Sequence, residues 1–243
     1  MGVTVVPDAS VAPFGEGIWT VDGPQALDMG LTFTTRMAII KAPGDGLWIC
    51  DPVSVNDATR AQIDALGPVE CLVTSTQRHI WRLETWHQMY PKAKLWTCGN
   101  VPKRLRTLPY DGVVGDEPLW DGIQQVKFGG NRLLAEAWFF HEESRTLIVG
   151  DLLQANLPLP GHPISNLVFR LAGGAGPSAQ VGRDLKMTFT DKAAARRSLA
   201  RVMDWDFNRL ILAHGPLVTD DAKTHLASAF TWLTSQEHAS PTQ

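Results

Sequence analysis

Three short apolar segments of this sequence are each followed by a side chain that can bind a metal ion. The segment CLVT leads through a turn to His79, TLIVG is followed by Asp151, and LILA is followed by His214. Apolar runs of this length, bounded by turn residues, are typical of buried strands. In open α/β sheets, ligands bind at the edge where the strands reach their carboxyl ends. The sequence therefore predicts an α/β fold with these three side chains at that edge.

The remaining segments favour a layered sandwich of strands and helices in a single domain, 1–243, because no linker divides the chain. Apolar or alternating segments between turn residues predict strands at 17–23, 33–42, 46–51, 70–74, 94–98, 122–128, 133–140, 145–153 and 209–215. Capping residues and apolar residues at helical spacing predict helices at 56–66, 79–90, 191–204 and 220–234. The Gly/Pro-rich segment 156–189 is predicted to be a long surface loop, and loops of that length often cover functional sites.

Composition narrows the range of partners. The net charge of -3 argues against nucleic acid, and no apolar run reaches the roughly 18 residues of a spanning helix, so no membrane partner is expected. The N-terminus lacks the pattern of a secretory signal, and Cys50, Cys71 and Cys98 lie in apolar contexts typical of reduced, buried thiols. These features favour a cytoplasmic protein whose partner is a small-molecule ligand.

The order of these motifs resembles that of the metallo-β-lactamase-fold superfamily. RTLIVGDLL is similar to the strand that carries the superfamily's bridging aspartate, LILAHG to its final strand-His-Gly element, and CLVTSTQRHIW to its strand followed by His-x-His-x-Asp-His. The chain from about Thr20 to Gly215 more closely resembles uncharacterised bacterial proteins of that fold, which are catalogued as a domain of unknown function with a degenerate metal motif. The resemblance implies a four-layer αββα sandwich.

The resemblance also implies which metal ligands are missing. With the last motif histidine at His79, the first two histidines of the motif fall on Thr74 and Thr76, and GGNRLLAEAWFF offers no further histidine. The first metal site of the superfamily therefore loses its three His ligands. His79, Asp151 and His214 remain as ligands of a second site for at most one divalent metal, zinc or iron, with low occupancy expected.

Arg78 occupies the position of the fourth ligand of that second site. If its guanidinium points inward, it repels a cation or pairs with Asp151 in place of the metal; if it points outward, a mononuclear site remains. The permanent charge favours a metal-free or weakly binding state. Two functions follow: a hydrolase of an unknown small, anionic substrate, with Arg78 and Asp151 as catalytic residues, or a non-catalytic binding or interaction protein on the same scaffold.

Overall fold

The architecture comprises two β-sheets and seven α-helices in the described part of the chain. A computed structural model of the protein describes residues 9–235, except the side chain of Arg104. The first sheet has seven strands in chain order: β1 (Ala12–Gly15), β2 (Ile18–Asp28), β3 (Leu31–Lys41), β4 (Leu47–Cys50), β5 (Val69–Val73), β6 (Lys94–Thr97) and β7 (Tyr110–Val113). The second sheet has the strands β8 (Ile123–Phe128), β9 (Glu136–His141), β10 (Thr146–Val149) and β11 (Arg209–Leu212) in the order β11-β10-β9-β8. The helices are α1 (Asp57–Leu66), α2 (Leu83–Met89), α3 (Pro163–Ala172), α4 (Arg183–Met187), α5 (Lys192–Asp204), α6 (Ala222–Ala229) and α7 (Thr231–Thr234).

Three apolar clusters assemble these elements into four layers. Ile63 of α1 and Trp86 of α2 pack with residues of the outer face of the first sheet, such as Leu72. The inner faces of the two sheets meet around side chains such as Trp48 and Phe139, whose rings lie 5.0 Å apart. The outer face of the second sheet packs on α5, α6 and α7. The fold is therefore an αββα sandwich, in which each sheet is covered on both faces.

The direction of the strands explains where a site can form. Strand β5 is parallel to β4 and β6, and β10 is parallel to β11, so the carboxyl ends of these strands lie at one edge of the sandwich. The hairpin of β2 and β3 extends beyond β4, because β4 pairs only with residues 38–41 of β3. Arg36 ties this hairpin to the second sheet by donating to the carbonyl oxygens of Leu212 and Gly215.

The structure corrects several boundaries of the sequence predictions and adds the strands β1 and β7, which were not predicted. Residues 77–82 form turns, and α2 begins at Leu83 rather than at His79. The strand expected over 133–140 is β9, which begins only at Glu136. The helix expected over 220–234 is divided at Phe230 into α6 and α7.

The segment 156–189 contains two helices that the sequence reading treated as loop. Pro163 occupies the first turn of α3, and Gly173 ends it in the left-handed conformation, with φ of 75°. The ring of Phe169 in α3 packs 4.9 Å from that of Phe33 in β3, so tertiary contact supports a helix of only ten residues. The Gly/Pro-rich composition predicted a loop here, but the Gly and Pro residues lie at the ends of α3 and do not interrupt it.

Two further expectations concern the cysteines and the membrane. Cys50, Cys71 and Cys98 are buried and form no disulfide. Within residues 9–235, no helix has both the length and the apolar character needed to cross a bilayer. The first eight residues, on which the expected absence of a secretory signal depends, lie outside the described residues.

Gly130 and Gly44 provide a test of the packing between the second sheet and α5. Both have positive φ, 86° and 94°, but a Cβ at Gly130 would lie 2.1 Å from the carbonyl oxygen of Asp191, whereas a Cβ at Gly44 would meet nothing within 4 Å. Gly44→Ala should reduce the free energy of unfolding by about 1–2 kcal/mol through backbone strain alone. Gly130→Ala should cost more than about 3 kcal/mol, because Asp191, the N-cap of α5, must move. Urea unfolding of both variants measures the difference, and equal losses would contradict this packing.

Candidate metal centre

Three side chains from three strand ends converge at the edge of the sandwich. The Nε2 atoms of His79 and His214 lie 3.1 and 3.0 Å from Oδ1 of Asp151, and 3.3 Å from each other. All three side chains are largely buried. Among the residues that the structure describes, they form the one group of three or more His, Cys, Asp or Glu side chains that can hold a metal ion.

The other ring nitrogen of each histidine fixes its tautomer. Nδ1 of His214 lies 2.6 Å from the carbonyl oxygen of Thr34, which can only accept, so this nitrogen carries a proton. Nδ1 of His79 lies 3.0 Å from Oδ2 of Asp51, at ion-pair distance but without the alignment of a hydrogen bond, and the negative charge of this carboxylate favours a proton on Nδ1. In the neutral imidazoles both Nε2 atoms then point a lone pair at Asp151.

Three lone pairs directed at one point require a positive charge there. Burial alone would lower the pKa of His79, but the carboxylates of Asp51 and Asp151 raise this pKa well above its usual value. Burial would likewise raise the pKa of Asp151, but the imidazoles of His79 and His214 hold it well below its usual range. The positive charge is supplied either by protons on the imidazoles or by a bound cation.

The spacing of the three atoms fits a small cation. A tetrahedral ion with metal–ligand bonds of 2.0–2.1 Å separates its ligand atoms by about 3.3 Å. The separations of 3.0, 3.1 and 3.3 Å between the three ligand atoms therefore match three corners of such a tetrahedron, with two of the edges slightly shorter than in the ideal figure. Histidine ligands whose second nitrogen donates to a carboxylate or a carbonyl oxygen are the usual arrangement around protein-bound metals. The residues present thus fit one divalent cation.

Asp51 orients His79 from the end of β4. Its carboxylate accepts from the backbone N–H and the hydroxyl of Ser75, and it also contacts Nδ1 of His79. Asp51 itself has a positive φ of 55°. A buried carboxylate in this position stabilises the protonated Nδ1 and leaves Nε2 free for the site.

Glu136 holds the backbone that carries Asp151. Its two carboxylate oxygens accept from the N–H groups of Gly150, Asp151 and Leu152 and from the indole N–H of Trp138, with distances of 2.5 to 3.0 Å. Burial and the Asp151 carboxylate raise the pKa of Glu136, while the N–H donors oppose that shift. Since all four contacts are donors, a proton on Glu136 would find no acceptor among them.

The two threonines in the positions of the motif histidines have structural partners. The hydroxyl of Thr76 donates to Oδ2 of Asp151 and accepts from the backbone N–H of Arg78. The hydroxyl of Thr74 accepts from the backbone N–H of Cys98. Both side chains are fully buried. Thr76 thereby leaves only Oδ1 of Asp151 to face the imidazoles.

Arg78 points away from the three ligand atoms. Its guanidinium lies 3.3 Å from the carboxylate of Asp28 and 3.0 Å from the sulfur of Met29, and its side chain is 46% exposed. The ion pair with Asp151 that was one expectation for an inward-pointing Arg78 is replaced by a pair with Asp28, at the tip of the β2–β3 hairpin. The permanent charge of Arg78 therefore lies at the rim of the site and is screened by solvent.

Asp51 and Glu136 support the site but were not predicted from the sequence as site residues. Asp51 follows the apolar strand LWIC in the same way as Asp151 follows TLIVG, so the pattern that identified Asp151 also marks Asp51. Glu136 carries no comparable signal, because a charged residue at the start of a strand is ordinarily exposed. Only the packing of the two sheets buries it against the turn at Gly150.

Comparison with known proteins places this geometry in a family. A family described as a domain of unknown function, DUF4336, matches residues 15–160, which is more than half of the chain. The chain belongs to this family. No curated protein sequence matches it.

Solved structures show that the DUF4336 chain has the metallo-β-lactamase fold. A metallo-β-lactamase from Hirschia baltica aligns with a TM-score of 0.57 and 15% identity, over 90% of this chain and 96% of that one. The metallo-β-lactamase FIM-1 from Pseudomonas aeruginosa, in a mono-zinc form, aligns with a TM-score of 0.59 and 12% identity, over 93% and 96%. The metal-soaked flavodiiron core of Flv1 from Synechocystis aligns with a TM-score of 0.62 and 14% identity, over 95% of this chain and 62% of that one.

Glu136→Gln tests the role of the buried carboxylate. The amide nitrogen of glutamine would face N–H donors, so the variant should lose about 1–3 kcal/mol of unfolding free energy and should misplace Asp151. Glu143→Gln is the matched control, because Glu143 is exposed and its replacement should change stability by less than about 0.5 kcal/mol. Urea unfolding of both variants provides the measurement. A Glu136→Gln protein as stable as the control would show that the carboxylate does not hold the Gly150–Leu152 backbone.

Proposed function

We propose that this protein is a mononuclear metal-dependent hydrolase of a small anionic substrate. The observation that carries the proposal is the convergence of three lone pairs, from His79, Asp151 and His214, with both imidazoles held in the tautomer that a metal requires. The mono-zinc form of FIM-1 is a case in which one zinc ion is associated with a protein of this fold. The donor set suits zinc or iron.

A divalent cation held by these residues would supply Lewis acidity and would activate water for hydrolysis. The chain's own residues would do the rest. His79 and His214 would hold the cation from two sides, and Asp51 and the Thr34 carbonyl would keep their rings in place. Asp151 would contribute Oδ1 both as a ligand and as an acceptor that orients the attacking water.

Arg78 would bind the anionic group of the substrate. It lies at the rim, two residues beyond the buried Thr76, and its guanidinium is only partly neutralised by Asp28 at 3.3 Å. A guanidinium presents several N–H donors in a plane and binds carboxylate or phosphate oxygens in pairs. Arg78 and Asp151 are therefore the residues to which we assign the catalytic roles.

A non-catalytic binding protein is the alternative, and one observation favours it. The contacts of 3.0 to 3.3 Å among the three side chains also fit a network in which protons on the imidazoles supply the positive charge. In that case Asp151 and Asp51 flank a charged His79, and the site stabilises the scaffold without a metal. A protein that binds no metal would support this alternative.

Removal of a ligand should abolish metal binding. Protein purified without chelator should contain close to one zinc or iron per chain, and the apoprotein should bind zinc in titration calorimetry. His214→Ala should weaken zinc binding by at least about a hundredfold, because it removes one of three ligands. His87→Ala is the control, because His87 lies in α2 and does not belong to the site. Equal zinc binding by both variants, or none by the parent protein, would favour the metal-free alternative.

Zinc affinity should increase with pH. The cation replaces a proton on His79, whose pKa is raised well above its usual value by Asp51 and Asp151 although burial opposes that shift. Protons therefore still compete with zinc for His79 above pH 6.5, and this competition should decline only as the pH passes the raised pKa of His79. Asp151 does not contribute in this window, because its pKa is held below its usual range. Calorimetry between pH 6 and pH 9 should show proton release on binding, and a flat profile would contradict the ligand assignment.

Hydrolysis should depend on both the metal and Arg78. A panel of chromogenic esters, thioesters and phosphodiesters, with and without an anionic group, should reveal zinc- or iron-dependent turnover that His214→Ala abolishes. Arg78→Gln should raise KM for anionic substrates by about tenfold or more and leave neutral ones unchanged, since it removes one charged contact at the rim. If the protein binds metal but turns over no substrate of the panel, the hydrolase proposal is wrong and the protein is a non-catalytic metal-binding protein.

A further inference from the structure

The outer face of α3 is apolar, although it faces solvent. Ser165 and Phe169 face inward, whereas Ile164, Leu167 and Leu171 are 72%, 48% and 64% exposed. Val168, at 36%, lies on the same stripe. These four positions follow the spacing i, i+3, i+4 and i+7 of one helix face. A helix that is apolar on both its buried and its solvent side is incompletely covered by its own chain.

Further exposed apolar side chains surround the metal centre on neighbouring segments. Leu27 and Met29 at the tip of the β2–β3 hairpin are 75% and 79% exposed, Leu133 is 60% exposed, and Met187 at the end of α4 is 85% exposed. Together with the stripe of α3 they form what we call the apolar rim. Most of the large hydrophobic side chains left exposed in residues 9–235 belong to it.

Hydrogen bonds connect the segments of the apolar rim into one surface. The backbone N–H of Thr32 in the hairpin donates to Ser165 of α3. The guanidinium of Arg78 contacts both Asp28 and Met29 at the hairpin tip. Gln77, in the same turn as His79, donates to the carbonyl oxygen of Leu133.

Two further contacts complete this surface and tie it to the metal centre. Asn131, near Leu133, donates to Thr188 beside Met187. Beneath the surface, the ring of Phe33 lies 4.9 Å from that of Phe169 and 5.2 Å from that of His214. The apolar rim therefore lies around the mouth of the metal centre.

Cations outnumber acids on the segments of the apolar rim. Arg132, Arg170 and Arg183 are exposed there, whereas the acids on these segments that face solvent are Asp28, which pairs with Arg78, and Asp184. The chain as a whole carries a net charge of -3, so this excess of positive charge is local. Exposed aliphatic side chains interspersed with arginines are typical of surfaces that lie in the interface of an anionic bilayer.

We propose that the apolar rim docks on the surface of an anionic phospholipid membrane, with the mouth of the metal centre facing the lipid. The aliphatic side chains of α3 and of the hairpin tip insert among the acyl chains, and Arg132, Arg170 and Arg183 contact the headgroups. The stripe lies on the solvent side of a helix, and its four side chains are free to enter a deformable lipid surface. This inference departs from the sequence expectation of no membrane partner, which rested on spanning helices alone. It does not depend on the hydrolase proposal, because docking requires neither metal nor turnover.

Vesicle sedimentation tests the proposal with the full chain. The protein should bind vesicles of phosphatidylcholine with phosphatidylglycerol and bind vesicles of phosphatidylcholine alone much more weakly. Binding should fall as salt is raised from 50 to 500 mM, because screening weakens the contacts of the arginines with the headgroups. Ile164→Glu should reduce the bound fraction roughly tenfold, because it places a charge in the inserted face.

Matched variants distinguish vesicle binding through the apolar rim from nonspecific binding of the protein to lipid. Val168 and Leu119 are both 36% exposed, but Val168 lies on the apolar rim and Leu119 lies in the loop before β8. Val168→Glu should reduce vesicle binding, and Leu119→Glu should leave it unchanged; circular dichroism confirms that both are folded. Equal effects of the two changes, or no binding to anionic vesicles, would overturn the proposal. A dimer in light scattering that Ile164→Glu dissociates, in a protein that ignores vesicles, would assign the face to a second copy of the chain.

Discussion

The metal centre depends on one carboxylate oxygen that faces two imidazoles. Oδ1 of Asp151 lies 3.1 and 3.0 Å from the Nε2 atoms of His79 and His214, and each histidine has committed its other nitrogen elsewhere. Such an arrangement is repulsive unless a positive charge lies among the three atoms. The same geometry therefore carries the metal proposal and defines its alternative, in which protons take the place of the cation.

Two buried carboxylates make this arrangement rigid. Asp51 accepts a hydrogen bond from the backbone N–H of Ser75 and contacts Nδ1 of His79. Glu136 accepts from three successive backbone N–H groups around Asp151. Neither is one of the three ligand-bearing side chains. Gly150 permits the close approach, because a Cβ there would lie 2.4 Å from Thr76 and 2.5 Å from Ser75. The site is thus supported by a polar layer between the strand ends rather than by the loops above it.

The loops above the site have a different character. The centre itself is polar and buried, whereas the hairpin tip, α3 and the end of α4 expose aliphatic side chains around it. Phe33 connects the two layers, because its ring contacts both Phe169 of α3 and His214 of the site. The segment 156–189, expected to be a loop over a functional site, does lie beside the candidate site, but it contains the helices α3 and α4.

Local patterns in the sequence predict most of the strands and the longer helices, but not β1, β7, α3 or α4, and they predict the three ligands of the site. Apolar runs ending in Asp151 and His214 identify ligands because parallel strands deliver their carboxyl ends to one edge, and that rule needs no side-chain packing. His79 is predicted there by the same pattern, because it follows the apolar strand CLVT after a short turn. The orientation of Arg78 was left open between inward and outward. Contacts in the fold fix it pointing outward, because Asp28 and Met29 approach from a hairpin that is 49 or 50 residues away in the chain. The burial of Glu136 and the helix α3 were decided in the same way, since each depends on contacts between segments that local pattern does not connect.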